Sequence, residues 1–398
     1  MNILVNTSTF KQSTEDSSPN FINNLIENFN KENHYFILYP RKIEKIHNKK
    51  YAKNITLLPY SYLLPGRFSN LSTYGLYPSL KKSRLNIFKI FLLIISQFFN
   101  LIYYSIKLQP DIIYSHWVFP QAFISSIIGK FLKKKVVFTS HGSDVKLLNN
   151  LGLLGKFIIK FTINNSHKFT VVSKTGLENI KFSFNKPLNE NKYEVIPMGV
   201  DNIFFDKKIF DNPNNHTIKF LYFGRMVKYK GVDLIIEAVQ MLDNSKNFKF
   251  KVDLIGSGVE LSNLKSKIKN LNLNSKIKIH EFIEQKELIK FIDKANYIII
   301  PSKVTKSEYE AGPLSLLEAM ARKKICILSN SVGFIEHASS KNSIIFDSND
   351  PRDLFSKILI AISLSETEKN KLESNAYKTS LNFKYNNISK LTEKFLFN

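Results

Sequence analysis

At 398 residues, 43% of them hydrophobic and 23% charged, the chain reads as a globular protein long enough for two domains of ordinary size. Cys326 is the only cysteine, which excludes an intrachain disulfide and a cysteine-based zinc framework and points to a reducing, cytoplasmic setting. The net charge of +24 is uneven: residues 1–200 hold 26 Lys and Arg against 10 Asp and Glu, and residues 201–398 hold 31 against 23. A basic first half suits nucleic acid, an anionic membrane or an acidic substrate, but no zinc-finger spacing or RNA-recognition aromatic signature accompanies it.

Met1-Asn-Ile-Leu-Val-Asn-Thr7 lacks the charged flank and long apolar core of a signal peptide and reads as a first buried strand, Ile3–Val5. Tyr35–Tyr39 is a second strand. Phe21–Phe29 between them has helical spacing, with Ser17-Ser18-Pro19 as a start signal. Strand, helix, strand implies a parallel sheet, and places the loop Thr7–Ser18, Lys11 included, at the strand end where ligands bind.

Residues 85–107 form the most apolar stretch. Its polar residues, Asn86, Lys89, Ser96, Gln97, Asn100 and Lys107, make a narrow stripe near helical period beside a wide apolar face. The stretch suits a helix packed on the sheet; a membrane-surface helix, favoured by Lys81, Lys82 and Arg84 just upstream, and a membrane span are the alternatives. The strand Asp111–Ser115 then ends at His116 and Trp117. A strand from Val136 ends at His141-Gly-Ser-Asp144, where Gly142 lets backbone approach a ligand closely. Strands from Phe169 and Tyr193 follow, and residues 202–216, rich in Asp, Asn, Lys and Pro, read as a linker.

The second half opens with Ile218-Lys-Phe-Leu-Tyr-Phe-Gly224-Arg225, a strand ending at glycine, then Lys230-Gly231 and a helix over Val232–Met241. Arg225 and Lys230 thus flank one loop, and a guanidinium fork with an ammonium suits a diphosphate. Val252–Gly258 is another strand into glycines; it matches a dinucleotide fingerprint only weakly, since Leu261 stands where the third glycine belongs. Strands over Ile277–Ile283, Tyr297–Ser302 and Ile325–Leu328 complete the set, and Ile388–Phe397 reads as a closing helix with Leu391, Phe395 and Leu396 on one face.

The stretch Glu310-Ala-Gly-Pro-Leu-Ser-Leu-Leu-Glu318-Ala-Met-Ala321 carries two carboxylates eight positions apart. Gly312-Pro313 signals a turn and Leu314 starts a helix, so Glu310 sits on the entering loop and Glu318 about two turns inside. The peptide N–H groups of Gly312, Leu314 and Ser315 at that helix start favour an anion. Two accepting carboxylates beside a phosphate-friendly helix end suit a nucleotide sugar.

Together, Thr139-Ser-His141-Gly-Ser-Asp144, Ile196-Pro-Met-Gly-Val-Asp201, Phe223-Gly-Arg225, Lys230-Gly231, Leu254-Ile-Gly-Ser-Gly258 and the Glu310/Glu318 motif resemble the retaining glycosyltransferases of family 4, over most of the chain and most strongly from 193 to 336. The resemblance implies an α/β protein of GT-B fold: two Rossmann-like domains facing across a cleft, with the final helix crossing back to the first. Residues 1–201 with 380–398 would form the acceptor-side domain, and residues 202–379 would bind the nucleotide-sugar donor. By the same resemblance, Arg225 and Lys230 hold the diphosphate, Glu310 contacts donor-sugar hydroxyls, Glu318 the ribose, and His141 lines the sugar pocket. Gly224, Gly256, Ser257, Ile283, Gly312, Pro313 and Leu314 complete the donor site, and Lys11, His116 and Asp144 the acceptor side. No cofactor and no metal is implied, since the two cations take a metal's place.

The chain departs from the family pattern at three places. Lys11–Ser18 replaces the glycine-rich loop after the first strand, Arg322-Lys-Lys324 replaces a glycine turn after the Glu motif, and the charged Lys303–Tyr309 identifies no sugar. The resemblance implies transfer of a sugar from a nucleoside diphosphate, such as a UDP-sugar, to a glycan or lipid-linked acceptor in bacterial surface-polysaccharide assembly. The protein would be cytoplasmic, with attachment at the membrane's inner face. A sugar-nucleotide epimerase of the same fold and a basic nucleic-acid-binding protein are the rival readings; each predicts a different ligand requirement.

Overall fold

The computed structural model describes residues 1–11, 20–41, 51–63, 84–184, 187–206, 217–245, 248–281, 283–305, 310, 312–333 and 335–398. The chain divides into two compact units, Met1–Gly199 with Tyr385–Asn398, and Val200–Lys384.

The first unit is built on β1 (Asn2–Asn6), β2 (His34–Pro40), β3 (Ile55–Tyr60), β4 (Ile112–His116), β5 (Lys135–Ser140), β6 (Lys168–Val171) and β7 (Tyr193–Val195). They form one parallel sheet in the order β3-β2-β1-β4-β5-β6-β7. A parallel sheet is covered on both faces, so its central strands are apolar on both sides: Ile3, Leu4 and Val5 are all fully buried. β3 escapes a sequence reading because Pro59 and the polar residues around it blur the pattern. Strand order reverses between β1 and β4, and at such a switch point the carboxyl ends of the strands open a crevice.

The second unit repeats the plan with β8 (Thr217–Phe223), β9 (Lys249–Ile255), β10 (Ile277–His280), β11 (Tyr297–Ile300), β12 (Ile325–Ser329) and β13 (Ile344–Phe346). The order is β10-β9-β8-β11-β12-β13, all parallel, with the reversal between β8 and β11. A core of Phe220, Ile235, Val239, Leu254, Ile299 and Ile327 packs one face.

Three expectations are corrected by packing. In the helix Arg84–Leu108 the polar stripe lies partly inside: Leu93, Gln97, Leu101 and Ser105 are buried while Phe88, Phe91, Phe99 and Tyr103 are exposed. The cause is a buried amide pair, Gln97 Nε2 donating to Asn6 Oδ1 at 2.6 Å, under the end of β1. In the closing helix Tyr385–Leu396, which belongs to the first unit, the inward face is Tyr385, Ile388, Ser389, Thr392 and Leu396, and Leu391 is exposed. That rotation lets Glu393 accept from the Tyr35 hydroxyl at 2.7 Å and from the Asn30 N–H at 2.9 Å. The stretch 202–216 does not begin as open linker: Asn202–Phe205 is a 3₁₀ turn with Phe204 buried. Lys81, Lys82, Ser17-Ser18-Pro19, most of Lys11–Ser18 and residues 207–216 and 306–309 lie outside the described residues.

Candidate functional site

In the second unit three strand ends lie side by side. The Gly224 N–H donates to Ile255 O at 3.0 Å, the Met226 N–H to Ser257 O at 2.8 Å, and the Gly256 N–H to His280 O at 2.9 Å. This contact is why glycine is needed. A Cβ on Gly256, at φ +145°, would stand 1.9 Å from Gly224 O, and one on Gly258 2.1 Å from Met226 O. Gly231, at φ +65°, closes the loop after β8 against the end of β11, where a Cβ would meet Pro301 O at 1.9 Å. Ser257 is exposed, and Ile283 lies partly exposed just past the end of β10.

The loop from Gly224 to Gly231 carries the two expected cations. Arg225 is exposed; its backbone carbonyl accepts from the Tyr222 hydroxyl at 2.8 Å and its guanidinium donates to the Tyr229 hydroxyl. Lys230 is ion-paired with Glu310, and the two side chains are only 13% and 8% exposed. Tyr229, which sequence reasoning passed over, lies between the cations: the Arg225 guanidinium stands 5.8 Å and the Lys230 Nζ 5.9 Å from its ring centre. Only the spacing of Tyr229 between Arg225 and Lys230 signalled it.

The helix Leu314–Ala321 begins where the sequence suggests. Glu318, however, is its fifth residue, one turn inside rather than two. Pro313 at the N-cap has no side-chain group that could cap the helix, so the N-cap residue itself leaves the first peptide N–H groups to other partners. Gly312 and Leu314 are partly exposed there and Pro313 is buried. Burial, joined by the charge of Asp201 and opposed by that of Lys230, pushes the Glu318 carboxyl up to about 7. The missing glycine after this helix is also explained. Lys323 itself adopts φ +56°, the left-handed turn a glycine would take. Arg322 beside it turns inward to Asp293, and the Lys324 ammonium donates to Asp293 O at 2.7 Å and Ala295 O at 2.9 Å, the carboxyl end of the helix Gln285–Lys294.

In the first unit the polar groups gather at the β1/β4 switch point. His116 is fully buried, its Nδ1 3.1 Å from His141 Nε2, with the rings stacked at 5.4 Å. Burial pushes His141 down to about 3, and burial together with His141 holds His116 well below the usual histidine range, so both rings are neutral at pH 7. Asp144 is committed to backbone: its Oδ2 accepts from the Val118 and Phe119 N–H groups, while burial raises its carboxyl to about 6. That clamp, with Trp117 N–H donating to Thr139 O at 2.9 Å, holds Trp117 at φ +72°. A bulky side chain at that φ is an outlier that the surroundings must enforce. Trp117 and Phe21 flank the His141 ring at 4.9 and 5.0 Å. Sequence reasoning saw Trp117 at a strand end but had no signal for this stacking. Lys11 is tied by its backbone to the Asn23 side chain at 3.0 Å, and its own side chain is partly exposed.

No cluster of three or more His, Cys, Asp or Glu arranged to hold a metal occurs among the described residues. A cavity of about 430 Å³ lined by Lys219, Lys251, Lys278 and Phe291 shares no residue with the loops above and is not the site.

Comparison with known proteins agrees with this plan. The family profile described as Glycosyl transferases group 1 matches residues 204–379, and that described as Glycosyltransferase Family 4 matches residues 60–202. An uncharacterised glycosyltransferase of Methanocaldococcus jannaschii is 31% identical over 263 residues, 65% of this chain and 67% of the relative. The amylovoran biosynthesis glycosyltransferase AmsK of Erwinia amylovora is 29% identical over 131 residues, 33% of this chain and 32% of that protein. Among solved structures, HepE of Anabaena in complex with UDP superposes with a TM-score of 0.72 at 13% identity, covering 100% of this chain and 99% of that one. Two parallel Rossmann-like sheets, two successive family matches and a relative of this similarity make the chain a member of the glycosyltransferases built on the GT-B fold.

Proposed function

We propose that the chain is a family 4 enzyme that moves a sugar, with retention at the anomeric carbon, from a nucleoside diphosphate to a glycan or lipid-linked acceptor. The observation that carries this reading is the Lys230–Glu310 pair just ahead of the start of the helix Leu314–Ala321, where the N-cap is the proline Pro313. A cation and a helix N-terminus converge where a diphosphate leaving group gains charge, and a carboxylate stands beside them for sugar hydroxyls. Arg225 supplies the second cation, Glu318 accepts from the ribose, and the neutral His141 is the residue the first unit offers to the reaction. Asp144 acts on the acceptor side only through the backbone it clamps. The UDP bound in HepE favours a uridine donor, and the amylovoran relative favours bacterial polysaccharide assembly. A lipid-linked acceptor puts that assembly at the inner face of the membrane. No metal enters this scheme.

Proton NMR of the fresh product, with and without EDTA, tests it. The expected product keeps the donor's anomeric configuration and forms equally in both. An inverted linkage, or activity lost in EDTA, refutes the scheme. Turnover of the donor without any acceptor would identify the epimerase of the same fold instead.

Glu318→Gln gives an independent check. Hydrogen bonds to a charged group contribute roughly 1.5–3 kcal/mol, so nucleoside-diphosphate affinity should fall about tenfold to a hundredfold at pH 8. With the folded carboxyl near 7 and thus above its unfolded value, the native state holds the extra proton. Its contribution to stability is therefore full at acid pH and is lost as pH rises through about 7, a loss the Gln variant should not show. Wild-type affinity in calorimetry at pH 8 would remove Glu318 from the donor site.

A further inference from the structure

We infer that one face of the first unit is an anionic-bilayer docking surface made of two apolar parts, the outer stripe of the helix Arg84–Leu108 and a leucine knob at Leu151–Leu154. The inference deepens the membrane-attached part of the reading above, on which it rests.

Three helices, Arg84–Leu108, Phe123–Leu132 and Gly152–Asn164, cover the sheet face to which Leu4, Ile113, Val136 and Phe138 point. Their inner sides are ordinary core. Their outer sides are not. Phe91, Ile95, Phe99 and Tyr103 recur every fourth residue, so they form one line along the first helix, and all four are exposed, Phe99 by 65%. On the middle helix Phe131 is 81% exposed. The third helix follows Leu151 and opens with Gly152-Leu-Leu-Gly, where Leu153 is 88% exposed. Leu154, Phe157 and Phe182 extend that knob. Apolar exposure concentrated on one face marks an interaction surface, whereas scattered single residues do not.

The charge decides the occupant. Residues 84–182 hold thirteen Lys or Arg and three Asp or Glu, of which Asp144 is buried. Lysines stand among the exposed rings: the Lys107 Nζ donates to the Tyr103 hydroxyl at 3.1 Å, and the Lys156 Nζ lies 4.8 Å from the Phe182 ring centre. Aromatic and leucine side chains between lysines suit a headgroup layer of anionic lipid. A second copy docking face to face would bring two basic surfaces together, which charge repulsion opposes. A span is opposed by packing. Asn86–Leu108 is long and apolar enough to cross a membrane, yet Leu93, Gln97, Leu101 and Ser105 are buried in the first unit, and Gln97 is bonded to Asn6 at 2.6 Å.

Vesicle sedimentation of the whole protein tests the surface. Wild type should sediment with phosphatidylglycerol-containing vesicles at low salt, stay in solution with phosphatidylcholine alone, and be released at high salt. Leu153→Ser with Leu154→Ser, and separately Lys130→Glu with Lys156→Glu and Lys160→Glu, should each weaken binding at least about tenfold while keeping the wild-type melting temperature. Wild type remaining in the supernatant overturns the inference. So does binding that ignores the leucine pair, which would be electrostatic alone, resistance to alkaline extraction, which would mean a span, or a solution dimer that the leucine pair dissociates. UDP titration without vesicles reads the transfer reading by itself, so either can fail while the other stands.

Discussion

Lys230→Ala is expected to lower turnover by two to three orders of magnitude, the cost of removing one preorganised donor to a developing charge. Lys230 is held in place rather than tethered loosely. The loop that carries it is closed by Gly231 against Pro301, and its ammonium is paired with Glu310 in a site where both side chains are nearly buried. On the proposed reading, a diphosphate arriving there would replace the carboxylate partner with another anion, and the lysine would need no reorganisation as the leaving group departs. The same burial makes alanine ambiguous, because it leaves the Glu310 charge uncompensated and lowers stability as well. Arg225→Ala resolves the ambiguity. Arg225 is exposed, so its loss should depress turnover and leave the melting temperature almost unchanged. Steady-state kinetics beside a melting curve, with Lys230→Arg as the charge-conserving control, measures both effects. Activity that falls only in step with stability for both variants would make the pair structural.

The largest stability effect is expected at Asp293. Its carboxylate is fully buried and receives both arms of the Arg322 guanidinium, Nε at 2.8 Å and Nη2 at 2.7 Å, with Arg322 only 2% exposed. Arg322 Nη1 also donates to Phe204 O and Asp206 O, so the same side chain ties the start of the second unit to the end of the helix that bears Glu318. Asp293→Ala strands a buried guanidinium, which costs about 3–5 kcal/mol and should lower the melting temperature by on the order of 10 °C. Replacing both partners with apolar residues, Asp293→Leu with Arg322→Met, should cost less than the single change, since no charge is then left unpaired. Donor affinity in the double variant reports whether this clamp positions Glu318. A single variant that melts with the wild type would show that the pair contributes nothing net.

How much of this was legible beforehand follows from the range of the interactions. The strands and the glycines at their ends are local features. A strand buried on both faces must be apolar throughout, and a loop backing onto its neighbour at 1.9 Å from a would-be Cβ must be glycine. Hence β1, β2, β8, β9 and the Gly224, Gly256 and Gly231 turns were readable one residue at a time, and so was the helix start after Gly312-Pro313. The short β3, the left-handed backbone of Trp117 and the partners of Arg322 were not. Each depends on what lies across the sheet from it.

Order along the chain, two strand-rich halves, the cations of the β8 loop and the paired glutamates eight apart were therefore determined by the sequence itself. The tertiary structure alone decided which side of Arg84–Leu108 faces inward, because that turned on one amide meeting Asn6 across 91 residues of chain. It decided that Lys230 meets Glu310, that two neutral histidines stack at the end of β4 and β5, and that Lys323 can take the turn of a glycine. In each case the energy lies in a contact between residues distant in sequence. Parallel strand pairing brings them together only once the sheet has formed.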